Sequence, residues 1–225
     1  MRLITLDGPA GSGKSSVAKE AARQLGYYFL STGLIYRALG WHLDRMGWDG
    51  ERSVNPAWVA GFTLGVDSHG GVRVNGVVVE ENLHGERFSR LASLVSALPL
   101  VRGESNRIQR ELAQQIEREG SFPGMIVEGR DSGTVVFPQA RPKFFITASP
   151  RKRAQRRLAD LRATDPTATL ESVQAGIEAR DQRDATRDVA PLRPADDAEI
   201  ILTDSLTLAQ VVALVIRRVR ETAEK

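Results

Sequence analysis

Short continuous apolar runs alternate along this chain with longer stretches whose apolar positions recur at helical spacing. Leu3-Ile4-Thr5-Leu6 is the first run and reads as a buried strand. It ends at Asp7 in a glycine-rich loop. A helix pattern begins at Lys14, with Val17, Ala18, Ala21, Ala22 and Leu25 on one face and Gly26 as its stop. Tyr27 to Leu30 predicts a second strand, and Leu34-Ile35-Tyr36-Arg37-Ala38-Leu39 opens a second amphipathic helix. Met125-Ile126-Val127-Glu128, Lys143-Phe144-Phe145-Ile146-Thr147-Ala148 and Glu199 to Leu202 predict three more strands, and Leu206 to Glu221 a closing helix. Strands joined by helices predict right-handed βαβ units and a parallel sheet.

From Trp48 the texture changes. Phe62 to Asp67, Val72-Arg73-Val74 and Val77-Val78-Val79 are short β runs separated by turn signals. Asp67-Ser68-His69-Gly70 and Asn75-Gly76 are hairpin turns in this reading, which predicts a small antiparallel patch inserted into the α/β pattern. Two helices follow. Leu91, Leu94, Val95 and Leu98 make one stripe, Pro99 breaks it, and Ile108, Leu112 and Ile116 make another, with Arg102 near the start of the second helix. The expected organisation is a core of residues 1–35, 121–150 and 190–225, a lobe of residues 36–120 with its β insert at about 60–82, and a lid with a further helix over 151–189.

The polar residues give this frame its chemistry. Gly8, Gly13, Lys14 and Ser15 fit the G-x-x-x-x-G-K-[ST] phosphate-loop pattern, between a strand and a helix as the mechanism requires. Glycines let backbone N–H groups turn around phosphate oxygens, and the helix N-terminus adds partial positive charge. Lys14 can reach the β- and γ-phosphates, and the Ser15 hydroxyl is the expected ligand of Mg²⁺. In parallel sheets ligands sit at the carboxyl ends of the strands. Thr32 and Arg37 follow the second strand, and Gly129-Arg130-Asp131 follows the third. Arg37 is either a ligand of the site or a solvated helix arginine, and Arg130 and Asp131 either face the crevice or form a surface pair.

Arg153, Arg156 and Arg157 share a helix face, with Asp160 as the nearby acidic residue. They form either a solvated face or a lid over the phosphates. Leu170, Val173 and Ile177 form an apolar stripe that continues as Arg180, Asp184 and Arg187, with the helix expected to run to Pro191. Charged residues continuing such a stripe are either a buried ion-pair network or a site for a charged ligand. The converging arginines exceed what one triphosphate needs. Transfer of a phosphoryl group between two phosphate-bearing substrates accounts for the surplus.

Taken together, Asp7 to Ser16, Thr32-Gly33-Leu34-Ile35-Tyr36-Arg37, Gly129 to Pro138 and Arg180-Asp181-Gln182-Arg183-Asp184, with Arg187 and Ala190-Pro191-Leu192 beyond, resemble the bacterial cytidylate kinases over nearly the whole chain. The resemblance implies an α/β P-loop fold: a five-stranded parallel sheet flanked by helices, an inserted monophosphate-binding lobe and a short helical lid. It implies ATP and CMP or dCMP as substrates, with Mg²⁺. Gly8, Pro9, Ala10, Gly11, Ser12, Gly13, Lys14, Ser15, Ser16, Arg156 and Arg157 would hold ATP. Thr32, Arg37 and Arg130 would hold the acceptor phosphate; Ser93, Arg102, Asp131 and Arg187 the cytosine edge; Arg180 and Asp184 the ribose and phosphate region. Lys14, Arg130, Arg153 and Arg157 are the expected catalytic cations. The family usually carries arginine where this chain has His84.

Composition narrows the alternatives. The 225 residues carry a net charge of +3, too little to imply nucleic acid or a membrane surface. There is no cysteine, hence no thiol nucleophile and no thiolate metal site. No secretory leader or membrane span is apparent, so the expectation is a cytoplasmic protein, and nothing in the sequence demands more than a monomer. A GTPase-type switch would want an Asn-Lys-x-Asp signature, which is missing. A related kinase acting on UMP, AMP or shikimate is the nearest alternative.

Overall fold

Asp7 and Gly129 end neighbouring strands at the same level, and this register organises the fold. The computed structural model describes residues 1–50, 53–66, 72–83, 85–162 and 165–222. The Asp67-Ser68-His69-Gly70 turn and His84 lie outside the described residues. Strand β1 (Arg2–Asp7) is followed by α1 (Lys14–Leu25), β2 (Tyr28–Ser31) and α2 (Thr32–Arg45). Then come α3 (Pro56–Val59), β3 (Leu64–Val66), β4 (Val72–Val74), β5 (Val77–Val79), α4 (Glu86–Val95) and α5 (Pro99–Glu119). Next are β6 (Gly124–Gly129), a π-type helical turn (Ser132–Val136), β7 (Lys143–Thr147), α6 (Pro150–Leu161), α7 (Leu170–Thr186), β8 (Ala198–Leu202) and α8 (Leu208–Glu221).

The chain divides into two compact units, one of residues 1–30 with 119–225 and one of residues 31–118. The first holds the five-stranded parallel sheet, in the order β2-β6-β1-β7-β8. Arg2 lies opposite Gly124 and Asp7 opposite Gly129, while Asp7 also faces Phe145 of β7. The loops after β1, β6 and β7 therefore emerge side by side at the carboxyl edge. Helices cover the sheet, so β6 is buried along its whole length, as its unbroken apolar run requires. Ile4, Leu6, Val17, Ile126, Phe144 and Val215 lie in this core. Gly26 ends α1 in a left-handed conformation (φ 66°), its N–H bonding back to the last carbonyls.

In the second unit, β3, β4 and β5 form the antiparallel patch. Val74 pairs with Val77 across a two-residue loop in which Asn75 (φ 49°) and Gly76 (φ 80°) both take positive φ. That is the conformation an Asn-Gly hairpin turn demands. α2 packs on α4 in the same unit, and Pro99 opens α5 where its missing N–H is tolerated. Among the described residues, no helix is long and apolar enough to cross a membrane.

One boundary differs from the sequence expectation. α7 ends at Thr186 rather than continuing to Pro191, and Arg187 follows in extended conformation (ψ 141°). The chain then doubles back: the Leu192 N–H donates to the Asp184 carbonyl at 2.7 Å, and Ala190 turns through positive φ (54°).

Candidate active site

The loop between β1 and α1 is shaped by its glycines. Gly8 has φ 151°, and a Cβ there would lie 2.0 Å from the Ile146 carbonyl oxygen. Gly13, at the start of α1, is left-handed with φ 87°. Lys14 is buried at the first position of α1. Its Nζ donates to the Pro9 carbonyl at 3.2 Å and lies 3.4 Å from Glu128 Oε1. Burial is the main force pulling the Lys14 pKa down to about 7, and the Arg130 and Arg180 cations act in the same direction against Glu128. Pro9 and Ser12 are buried, Ala10 and Gly11 half-buried, and Ser15 and Ser16 exposed at the helix start.

Two arginines of α6 bind this loop. Arg153 is 5% exposed; it donates to the Ala10 carbonyl at 3.0 Å and the Ala148 carbonyl at 2.9 Å, and pairs with Asp181 of α7. Arg156 donates to the Ser12 carbonyl at 3.1 Å and to the carbonyl and hydroxyl of Thr203 at 2.7 and 3.0 Å. The basic run thus has an acidic partner beyond Asp160, and of its residues Arg153 is buried rather than solvated. Backbone carbonyls of the loop need donors, and the two guanidiniums supply them. Arg157 is half-buried on the same helix.

A second charged cluster stands at the end of β6. Arg130 lies 3.3 Å from Asp184 and donates to the Gly129 carbonyl at 3.2 Å. Arg180 reaches the same Asp184 oxygen at 3.9 Å, one turn earlier on α7. Arg187 lies 3.6 Å from Asp131, and its Nε donates to the Ala190 carbonyl. Asp184 and Asp131 are 5% and 6% exposed. The charged continuation of the α7 stripe is thus partnered, and it brings together Arg130, Asp131, Arg180, Asp184 and Arg187.

The remaining expected residues lie in the second unit. Thr32 is buried at the first position of α2, and Arg37 is half-buried one turn on. Arg37 folds back over Gly33, where a Cβ would lie 3.1 Å from its Nη1. Ser93 is half-buried on α4. Arg102 is 2% exposed, donates to the Ser96 carbonyl at 2.9 Å, and sits 5.9 Å over the Tyr36 ring.

The family model for cytidylate kinase matches residues 4–221. The chain belongs to the cytidylate kinase family. Among curated members, it is 39% identical over 225 residues to the cytidylate kinase of Oleidesulfovibrio alaskensis, covering 97% of this chain and 98% of that one. It is 40% identical over 222 residues to the cytidylate kinase of Salinibacter ruber, covering 97% and 96%. The fold is similar to that of TT1252 from Thermus thermophilus, with a TM-score of 0.53 at 18% identity over 98% of this chain and 97% of that one.

Four residues of this region have no role in the sequence reading of this cytidylate kinase family member: Asp7 and Asp181, which lie inside the motifs, and Glu128 and Thr203. Glu128 closes an apolar strand, and a carboxylate there was itself a signal beside a phosphate loop. The partners of Asp181 and Thr203 are remote in sequence, Arg153 for the one and Arg156 for the other.

Proposed function

We propose that this protein transfers the γ-phosphate of ATP to CMP or dCMP, giving ADP and CDP or dCDP by in-line displacement. The observation that carries the reading is the pairing of a Lys14 phosphate loop with the Arg130–Asp184–Arg180 and Arg187–Asp131 cluster at the end of the adjacent strand. A phosphate loop alone serves many activities. A second set of oriented arginines and carboxylates suits a second, anionic substrate with a polar base.

In this reading the loop amides of residues 8–16 hold the triphosphate of ATP, with Arg156 and Arg157 contributing. Lys14 meets the β- and γ-oxygens. Thr32, Arg37 and Arg130 are the residues assigned to the acceptor phosphate. Ser93, Arg102, Asp131 and Arg187 read the cytosine edge: a carboxylate accepts from an amino group, and guanidinium donors meet ring acceptors. Arg180 and Asp184 serve the ribose and phosphate region. Lys14, Arg130 and Arg157 stabilise charge on the transferring group, Arg153 acts through its hold on the Ala10 carbonyl of the loop, and residues 36–120 and 151–189 act as acceptor lobe and lid. The acceptor phosphate is already a nucleophile at neutral pH, so no strong general base is required.

The donor set suits Mg²⁺, a hard cation that takes oxygen ligands. Ser15 offers its hydroxyl at the start of α1, and Glu128 a carboxylate at the end of β6. Bound with ATP, the ion would neutralise phosphate charge. The enzyme acts as a cytoplasmic monomer on ATP and CMP or dCMP, without nucleic acid or membrane. Incubation with ATP, Mg²⁺ and CMP tests the reading: it requires ADP and CDP in equal amounts and an arrest by EDTA. ADP release without CDP would overturn it.

A further inference from the structure

Asp7 is the last residue of β1, a buried carboxylate with no role in the reaction as proposed above. Its Oδ1 accepts from the Ser132 N–H at 3.0 Å and its Oδ2 from the Gly133 N–H at 2.7 Å, across 125 and 126 residues of sequence. Asp7 is 5% exposed. The two amides belong to the first residues of the π-type turn and have no partner within it. Inside the turn, the Asp131 carbonyl accepts from the Val135 and Val136 N–H groups, at 2.9 and 3.4 Å. The turn is therefore held from one side by its own backbone and from the other by Asp7.

Gly133 shows how close this seat is. A Cβ at that position would lie 2.6 Å from Thr5 Oγ1, 3.1 Å from Lys143 Cδ and 3.4 Å from Asp7 Oδ2. The turn rests directly on β1, and its distance from the strand is set by the carboxylate. Burying that carboxylate is unfavourable: desolvation, the first cause, raises its pKa to about 6 despite both amide bonds. A side chain chosen only to fill this space would be apolar.

We propose that Asp7 is a positioning residue: by clamping the Ser132 and Gly133 amides to the end of the phosphate-loop strand, it fixes Asp131 and its partner Arg187 for the acceptor base. This inference rests on the reading of the enzyme as a CMP kinase. The clamp acts on the turn that carries Asp131, whereas Lys14 and the loop carbonyls have their own supports in Glu128, Arg153 and Arg156. Weakening it should therefore disturb the acceptor more than the donor.

The test is steady-state kinetics on the full chain with both substrates varied, for wild type, Asp7→Asn and Gly133→Ala. Asn keeps one acceptor oxygen but turns an NH₂ toward the other amide; the alanine pushes the turn away from Thr5 with Asp7 intact. Both variants should raise KM for CMP tenfold or more and leave KM for ATP within about twofold. Equal rises in the two KM values, or unchanged KM for CMP in either folded variant, would overturn the inference. Should Asp7→Asn fail to fold, Gly133→Ala decides alone. A wild type that does not phosphorylate CMP defeats the functional reading instead, so the two failures are told apart.

Discussion

The Lys14 ammonium lies 3.4 Å from the Glu128 carboxylate, and both side chains are buried at the carboxyl edge of the sheet. This lysine is held near neutrality, its pKa lowered from 10.5 to about 7 by burial and by the Arg130 and Arg180 cations. A bound triphosphate reverses that balance, since its negative charge favours the ammonium. ATP binding near pH 7 should therefore be accompanied by proton uptake at this residue. Calorimetry of ATP binding in two buffers of different ionisation enthalpy reads this directly; the same heat in both buffers would contradict it. The linkage to stability has a definite sign. The unfolded chain binds the proton more tightly, so the contribution of Lys14 to stability rises with pH from about 7 to about 10.5.

Gly8 and Gly26 both have positive φ, but only Gly8 is crowded. A Cβ at Gly8 would sit 2.0 Å from a backbone oxygen, whereas at Gly26 nothing lies within 4 Å. Gly26→Ala should cost about 1 kcal/mol, the ordinary left-handed penalty. Gly8→Ala forces β1 and β7 apart and should cost 3 kcal/mol or more, as buried overpacking does. Thermal unfolding of the two variants side by side decides; equal shifts would remove the steric argument.

Arg156 joins Ser12 to Thr203 through three hydrogen bonds. Arg156→Met should raise KM for ATP several-fold and lower stability by about 1–2 kcal/mol, because the loop carbonyl and the Thr203 carbonyl lose their donor. KM for CMP should stay near wild type. A CMP-selective effect would place Arg156 with the acceptor instead.

Asp131 and Arg187 lie 3.6 Å apart with both side chains nearly buried. Asp131→Ala or Arg187→Met should raise KM for CMP tenfold or more and affect KM for ATP little. Equal effects on the two substrates would mean that neither residue reads the base.

Much of this was legible in the sequence for local reasons. The phosphate loop depends on residues within one strand–turn–helix, and Gly26, Asn75-Gly76 and Pro99 act through their own backbone preferences. The α7 end was misread because its stop is set by tertiary contacts: Leu192 bonds back to Asp184, and Arg187 turns toward Asp131. The partners of Arg153 and Asp7 were hidden for the same reason. Asp181 is on the next helix, and Ser132 and Gly133 are beyond residue 130, yet sheet register and helix packing bring them within hydrogen-bond distance. Periodicity reports which face of an element is buried, not which neighbour it meets.

The central claim is that the second substrate is a cytidine monophosphate. Competition decides it, with CMP, dCMP, UMP, AMP and shikimate offered together at equal concentration to limiting ATP labelled in its γ-phosphate, with Mg²⁺, and the labelled products separated. CDP and dCDP should take most of the transferred phosphate; a majority in ADP made from AMP, in UDP or in shikimate phosphate would rule out a cytidine monophosphate as the preferred acceptor.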